Sequence, residues 1–444
     1  MPTSLEASPA ASHRISAVVT DINLSFGTEM YDQPGYVPNH VRWRRIKKEL
    51  SLHMAESTAW LHLAETEESE LTTDDLVITD IKVGKRRPRD SLESSWESRP
   101  GGIWLLRSNY TGDSHRAVTR VDVLFGVDAV DPRPQWTLSQ TPLHLGAMPE
   151  IPVARLSVRH GAVNSGPVDP RPELRAGRDG KFKIAQISDT HMVTGTGVCK
   201  DAIDAHGQPL PPSEADPLTV GFIERVLDTE KPDLVVLTGD QIHHDIPDSQ
   251  SALFKVIAPI IERSIPYAAV FGNHDDEGVY ALSRSEQMAV LHSLPFSLCQ
   301  PGPEQVDGIG NYYLQVFPQS ASQAAVLTIY LLDSHGQIPS KVKDPDYDWI
   351  KQSQIDWFLD TSQELRQARE EICQQSPHMS LAFMHIPFPE LGRYATKATP
   401  QALATSARGS VMEVAADSEG TAHTMGSDII GEHGFGNSMR VPGA

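Results

Sequence analysis

Carboxylate and imidazole side chains follow two short apolar runs in the middle of the chain. Asp189 and His191 come two positions apart after the run at residues 182–187, so both would project to one face of an extended strand end. They offer one hard oxygen and one imidazole nitrogen, which is half of a metal site. Asp240 follows Gly239 after the next run, and one carboxylate can bridge two cations about 3.5–4 Å apart. These residue types and spacings indicate a site that can hold two metal ions.

Three further polar residues at predicted strand ends extend this set. Asn273 offers a neutral carbonyl oxygen, which suits a centre where another negative ligand would overcompensate the charge of the metals. His274 must point elsewhere if its neighbour Asn273 is a ligand, so it is free to donate a proton or to stabilise transition-state charge. His385 ends a later strand and supplies a second imidazole.

Each of these residues alone carries little information, because a single Asp or His at a strand end more often caps the chain or faces solvent. Their occurrence in order, each after an apolar run, is hard to obtain by chance. Other polar residues of the region are interpreted as lining a cleft or facing solvent without binding metal: His243, His244, His335 and Asp204 with His206.

The elements that must position these side chains alternate between strands and helices. Asp216 with Pro217 predicts the start of a helix, with Asp216 as its N-cap, and Ser283 with Glu286 predicts a capping box on a later helix. In open α/β sheets, sites form at the carboxyl ends of the strands. The predicted strands of this region lie at residues 182–187, 234–237, 267–271, 325–332 and 381–384.

The first 178 residues have a different character. Short runs rich in Val, Ile and Leu alternate with polar turns, which predicts a mostly β accessory region at 1–178, followed by the site-bearing domain at 179–393. The predicted strands of the accessory region lie at residues 16–23, 76–83, 102–107, 117–125 and 154–158.

The composition narrows the classes of function. The chain has 58 acidic and 38 basic residues, and this net charge of −20 opposes general affinity for nucleic acid. Basic residues at 42–48 are interpreted as a solvated face. No apolar run is long enough to cross a bilayer, no signal peptide is visible, and three widely spaced cysteines suit a reducing compartment. We therefore expect a cytoplasmic protein without a membrane segment.

Four short blocks resemble the calcineurin-like metallophosphoesterases. The surrounding sequence, including Tyr347-Asp348-Trp349 and Trp357, is similar to the purple-acid-phosphatase-like branch that includes the fungal dose-dependent cell-cycle regulator phosphatases. The blocks are Ile187-Ser188-Asp189-Thr190-His191, Leu237-Thr238-Gly239-Asp240-Gln241, Phe271-Gly272-Asn273-His274-Asp275 and Met384-His385-Ile386-Pro387.

The resemblance implies an α/β fold, a four-layer α/β/β/α sandwich with two metal ions (Fe, Mn or Zn) between the sheets. It implies that a metal-bridging hydroxide attacks phosphorus without a covalent enzyme intermediate. It also assigns the residues: Asp189 and His191 bind the first metal, Asp240 bridges, Asn273 and His385 bind the second, and His274 is the catalytic histidine.

The sequence departs from the family after residue 393. The fifth block of the family, Gly-His-x-His, completes both metal shells, but only the isolated His423 and His433 follow His385 here. Residues 394–444 are rich in Ala, Ser, Thr and Gly, which predicts a disordered tail. An altered reading of the gene and a divergent natural terminus are both open explanations. Either could leave the sandwich incomplete at its C-terminus and weaken metal binding.

The leading hypothesis is a phosphomonoesterase that acts on phosphorylated substrates, phosphoproteins among them. One alternative is a phosphodiesterase on the same scaffold, because the same ligands serve both chemistries. The other alternative is a catalytically silent relative that binds partners through its N-terminal β region, and the missing Gly-His-x-His block favours it.

Overall fold

The computed structural model describes residues 17–27, 40–88, 95–146, 148–161, 171–199, 208–209, 213–320, 324–338, 347–372 and 378–386. The chain is a mixed α/β protein that divides into two compact units. The first unit comprises residues 1–124 with 135–166, and the second comprises 125–134 with 167–444. The predicted tail at 394–444, Asp204, His206, His423 and His433 lie outside the described residues. Among the described residues, no helix is long and apolar enough to cross a membrane.

The described part of the first unit is built from strands in three small sheets, with spatial orders β1-β3-β2, β4-β6-β5 and β7-β9-β8. The strands are β1 (Ala17–Phe26), β2 (Arg42–Glu49), β3 (Ala59–Glu67), β4 (Leu76–Val83), β5 (Trp96–Arg99), β6 (Ile103–Asn109), β7 (Val118–Phe125), β8 (Trp136–Leu138) and β9 (Ala154–His160). The five predicted strands correspond to β1, β4, β6, β7 and β9 and are confirmed, whereas β2, β3, β5 and β8 were not predicted.

The second unit contains two sheets. One is fully parallel, with order β11-β12-β13, and the other has order β10-β14-β15-β16, with only β14 and β15 antiparallel. The strands are β10 (Leu174–Arg175), β11 (Ile184–Ile187), β12 (Leu234–Thr238), β13 (Tyr267–Val270), β14 (Tyr312–Phe317), β15 (Leu327–Leu331) and β16 (Met379–Phe383).

The core of the second unit lies between these two sheets. One continuous apolar cluster contains Leu234 and Val236 of β12 together with Ile329 and Leu331 of β15. Because side chains alternate along a strand, Val235 of β12 points to the opposite face, and it is also fully buried. Both faces of the parallel sheet are therefore buried, as expected for parallel strands that are connected by crossover helices.

Helices form the outer layers. They are α1 (Ala215–Glu230), α2 (Ser249–Glu262), α3 (Arg284–Ser293) and α4 (Gln352–Ile372) among the described residues. Helix α4 covers the sheet that contains β15: its Phe358 ring packs against Tyr330 of β15, with ring centroids 4.7 Å apart. Two sheets packed face to face between helices give the predicted metallophosphoesterase fold.

The starts of two helices test the predicted caps. The capping box of Ser283 and Glu286 on α3 is confirmed. The predicted N-cap of α1 is wrong, because the helix begins at Ala215 and Glu214 is its N-cap. Asp216 instead lies in the first turn, where its carboxylate accepts hydrogen bonds from Lys255 and from the Val193 N–H.

Candidate metal centre

Beyond the ends of β11 and β12 the two chain segments continue side by side. The Asp189 N–H donates to the Gly239 carbonyl and the His191 N–H to the Asp240 carbonyl, both at 3.0 Å. Asp189, His191 and Asp240 have φ angles of 56°, 44° and 50°, in the left-handed region that residues with a Cβ rarely adopt. Such backbone is held only where surrounding contacts over-determine it, which is typical of functional sites.

Two glycines allow the turns to approach each other closely. A Cβ on Gly239, whose φ is 102°, would lie 2.5 Å from the His385 ring, and one on Gly272 would lie 2.1 Å from Asp240 Oδ1. Since neither space admits a side chain, both positions require glycine for His385 and Asp240 to sit where they do.

Predicted ligands converge at this edge of the sheets. One donor atom from each of Asp189, Asp240 and His385 lies within 4.8 Å of the other two. His191 Nε2 is 3.7 Å and His385 Nε2 is 3.4 Å from the same oxygen, Asp240 Oδ2. We call these four residues together with Asn273 the candidate metal centre.

The charges at the candidate metal centre favour a cation. Burial lowers the pKa of His385, but the hydrogen bond and negative charge of Asp240 outweigh burial and raise it to about 9. Burial raises the pKa of Asp240, but His385 and the His274 N–H lower it more. The pKa of the Asp240 carboxyl therefore lies below its usual range. An ionised, buried carboxylate with imidazole and carboxylate neighbours fits the donor preferences of Zn, Fe and Mn.

The turn at residues 272–275 wraps around Asp240. The His274 N–H donates to Asp240 Oδ1 at 2.9 Å, and Asn273 is buried in the same turn. The His274 ring lies 5.5 Å from that of His191, and its Nδ1 is 2.5 Å from Glu277 Oε2. Nε2 is therefore the His274 nitrogen left for another partner. The structure places all six predicted residues in one region, and their chemical roles remain predictions.

Asp275 is a supporting residue that was not predicted from the sequence. It is fully buried, and its carboxylate accepts hydrogen bonds from the N–H groups of Gly272 (2.7 Å), Asp240 (3.0 Å) and Ile242 (3.1 Å). Burial raises the pKa of Asp275 to about 6, although the backbone donors lower it. Its place in the Gly-Asn-His-Asp block was the signal that could have found it.

Arg284 is a second supporting residue that was not predicted. It donates to the Gly272 carbonyl and to Asp333 Oδ1, both at 2.7 Å, and to Asp276 Oδ1 at 3.1 Å. Because Asp333 is 49 positions away, no local pattern points to this network. The contacts tie the turn at residues 272–275 to the end of β15.

The histidines interpreted as non-ligands have other partners. His335 Nε2 is 2.7 Å from Gln354 Oε1. The His243 ring lies 4.1 Å from that of His244, which in turn lies 5.1 Å from the His274 ring. His243 Nδ1 is 3.4 Å from His191 Nδ1. His243 and His244 thus line the region next to the candidate metal centre.

The chain is similar in sequence to a known family and to several known proteins. Residues 182–405 match the calcineurin-like phosphoesterase family. The chain is 36% identical over 299 residues to "Phosphatase DCR2" of Saccharomyces cerevisiae, covering 64% of this chain and 47% of that protein. It is 36% identical over 240 residues to "Probable inactive purple acid phosphatase 29" of Arabidopsis thaliana, covering 51% of this chain and 59% of that protein. The chain thus spans about half the length of these relatives.

A solved structure, a dimetal phosphatase from Danio rerio, is also similar, with a TM-score of 0.34 and 17% identity. The match covers 55% of this chain and 87% of that one.

Proposed function

Because the chain belongs to the calcineurin-like phosphoesterase family, we propose that its second unit hydrolyses phosphate monoesters at the candidate metal centre. The observation that carries this proposal is the convergence of donor atoms from Asp189, Asp240 and His385 within 4.8 Å of one another. Carboxylates and imidazoles from separate strand ends gather around one buried carboxylate. Such a set suits the binding of metal ions better than it suits a purely structural ion pair.

The residues divide the work at the centre. Divalent ions, when bound, act as Lewis acids that polarise phosphate and lower the pKa of water. Asp240 lies between His191 and His385, so its carboxylate is the ligand that two ions would share. Asp189 would bind the same ion as His191, and Asn273 would bind the same ion as His385.

His274 is the residue we assign to proton transfer. Its Nδ1 lies 2.5 Å from Glu277 Oε2, and this contact fixes the orientation of the ring. When Nε2 carries a proton, it can donate that proton to the oxygen of the departing alcohol. His274 is a residue of the turn around Asp240, which places it beside the centre without being a ligand.

We extend the proposal to phosphorylated protein side chains as the substrate class. The Asp189 side chain is 49% exposed and that of His191 is 34% exposed, so the centre lies near the surface. A phosphate group displayed on a large molecule can reach such a centre, whereas a deep pocket would admit only small esters.

The test is phosphatase activity and metal content of the purified full chain. We expect hydrolysis of an aryl phosphate that depends on added Mn²⁺, Fe²⁺ or Zn²⁺, and metal bound in proportion to protein by elemental analysis. Asp240→Asn should abolish both, because it removes the shared charge. Asp228→Asn is the matched control, since Asp228 is an exposed residue that pairs with Arg263 on the surface.

Substrate class is tested with the same preparations. A phosphopeptide should be hydrolysed at least as fast as the aryl phosphate, and a bis-aryl phosphodiester much more slowly. Faster turnover of the diester would favour the phosphodiesterase alternative. Absence of both metal and turnover from the unmodified chain would contradict the proposed function.

A further inference from the structure

The backbone fixes His243 beside His191. Beyond β11 and β12, Met192 and Ile242 form a parallel bridge. The Met192 N–H donates to the Gln241 carbonyl at 3.1 Å, and the His243 N–H donates back to the Met192 carbonyl at 2.9 Å. The position of His243 is therefore set by main-chain hydrogen bonds and does not depend on its side chain.

The two nitrogens of His191 face different partners. Nε2 is 3.7 Å from Asp240 Oδ2 and 3.9 Å from Asp189 Oδ1, whereas Nδ1 is 3.4 Å from His243 Nδ1. A neutral imidazole carries one N–H, so of two Nδ1 atoms that meet, one donates and the other accepts. If His191 donates from Nδ1, its Nε2 lone pair faces the two carboxylates, where a metal ion would bind.

We propose that His243 is a positioning residue: it accepts the Nδ1–H of His191 and holds that ring with Nε2 toward the candidate metal centre. This inference rests on the proposed function, because it assigns His243 a role in metal binding. Imidazole ligands of metals usually donate their other N–H to a fixed acceptor, which sets both tautomer and ring orientation.

His385 meets the same requirement in a different way. Its Nδ1 is 2.9 Å from the Thr238 carbonyl, which can only accept, and its Nε2 faces Asp240 Oδ2 at 3.4 Å. A backbone carbonyl cannot be removed by substitution, but the side chain of His243 can. His243 therefore offers the direct test of whether an acceptor behind the ligand matters.

The experiment measures Mn²⁺ affinity of the full chain by competition with a fluorescent chelator. His243→Phe keeps an aromatic ring against His244 but removes the acceptor, and we expect about 10- to 100-fold weaker binding. His243→Asn places an amide oxygen near the former Nδ1 and should bind Mn²⁺ almost as tightly as the unmodified chain. His244→Leu is the neighbouring control and should leave Mn²⁺ affinity unchanged.

A second readout follows the His191 ring itself. Nitrogen-15 histidine spectra of the Zn²⁺-loaded protein, with His191 assigned through His191→Gln, report which ring nitrogen carries the proton. We expect the Nδ1–H form in the unmodified chain and in His243→Asn, and a shift toward the Nε2–H form in His243→Phe. His243→Leu serves as a second variant if His243→Phe does not fold.

The outcomes separate the two proposals. Unchanged Mn²⁺ affinity in folded His243→Phe, or retention of the Nδ1–H form in it, would overturn the role of His243. Loss of affinity that His243→Asn fails to restore would also overturn it, because it would show a packing effect instead. If the unmodified chain binds Mn²⁺ and the variants behave as expected but no phosphate ester is hydrolysed, the positioning role stands and the proposed function fails.

Discussion

Asp240 is the side chain around which the other predicted ligands gather. It is almost fully buried, yet it accepts a backbone hydrogen bond and lies within 4 Å of two imidazoles. Burying a lone carboxylate is costly, so the arrangement is stable only with positive charge beside it. This burial is the reason why we assign Asp240 to metal binding rather than to packing.

His274 provides a prediction at the residue scale. His274→Ala should lower kcat about 100- to 10,000-fold, because a proton donor is removed from the transition state. Metal content should be unchanged, since His274 donates to Asp240 through its backbone N–H, which alanine keeps. Steady-state kinetics and elemental analysis on the same preparation measure both.

Glu277 supplies the companion variant. Glu277→Gln keeps a polar partner for His274 Nδ1 but removes the charge, so it should lower kcat by less than His274→Ala does. Full activity in His274→Ala would assign this histidine a structural role.

Residue types and spacing were sufficient to predict that side chains at separate strand ends would lie near one another, and their roles as ligands stay predictions. Asp189, Asp240 and His385 each follow an apolar strand, and the structure gathers them. Arg284 and His243 could not be predicted in the same way. Their partners come from other segments, and only the folded backbone shows that Arg284 meets Asp333 or that His243 meets His191.

At the scale of elements, a buried lysine joins α2 to α1. Lys255 is 2% exposed, and its Nζ donates to Asp128 Oδ2 at 2.8 Å, to the Gly195 carbonyl at 2.5 Å and to Asp216. Burial raises the pKa of Asp216, although Lys255 lowers it. This pairing explains why Asp216 does not cap α1: its carboxylate already neutralises Lys255.

Lys255→Met is therefore expected to lower the free energy of unfolding by about 3–5 kcal/mol, because it leaves the buried carboxylate of Asp216 and the partly buried one of Asp128 without their cation. Arg263→Met is the matched control. The Arg263–Asp228 pair is at the surface, where solvent screens it, so its loss should destabilise the protein far less than the loss of Lys255. Urea unfolding of the two variants gives the comparison, and equal small losses would contradict the expected importance of the buried cluster.

Strand β2 was not predicted because most of its residues are charged. β2 reads Arg-Trp-Arg-Arg-Ile-Lys-Lys-Glu, which lacks the apolar alternation by which strands are predicted. In the structure it is paired on one side with β3, whose Glu65 and Glu67 lie near Arg44 and Arg42. Cross-strand ion pairs support this strand, and they cannot be read from either segment alone.

At the scale of the whole molecule, each unit has its own buried residues, so we expect two transitions in calorimetric unfolding. Added Mn²⁺ should raise only the transition of the second unit, because a ligand stabilises the state that binds it. Leu61→Ala, a change at a fully buried position of β3, should lower only the transition temperature of the first unit. We expect it to reduce the free energy of unfolding of that unit by about 2–5 kcal/mol. One transition that responds to both changes would show that the units unfold together.

The connectivity of the second unit constrains how its gene can be recombined. Residues 125–134 are encoded between two stretches of the first unit, yet the Phe125 N–H donates to Ser251 Oγ at 2.9 Å and Asp128 pairs with Lys255. An exchange of the preceding β region at a single crossover near residue 167 would remove this ten-residue segment with it. A viable shuffled gene must keep the segment, or resupply its carboxylate to the buried lysine. The gene thus encodes the first unit as two stretches, residues 1–124 and 135–166, on either side of a segment that belongs to the second unit.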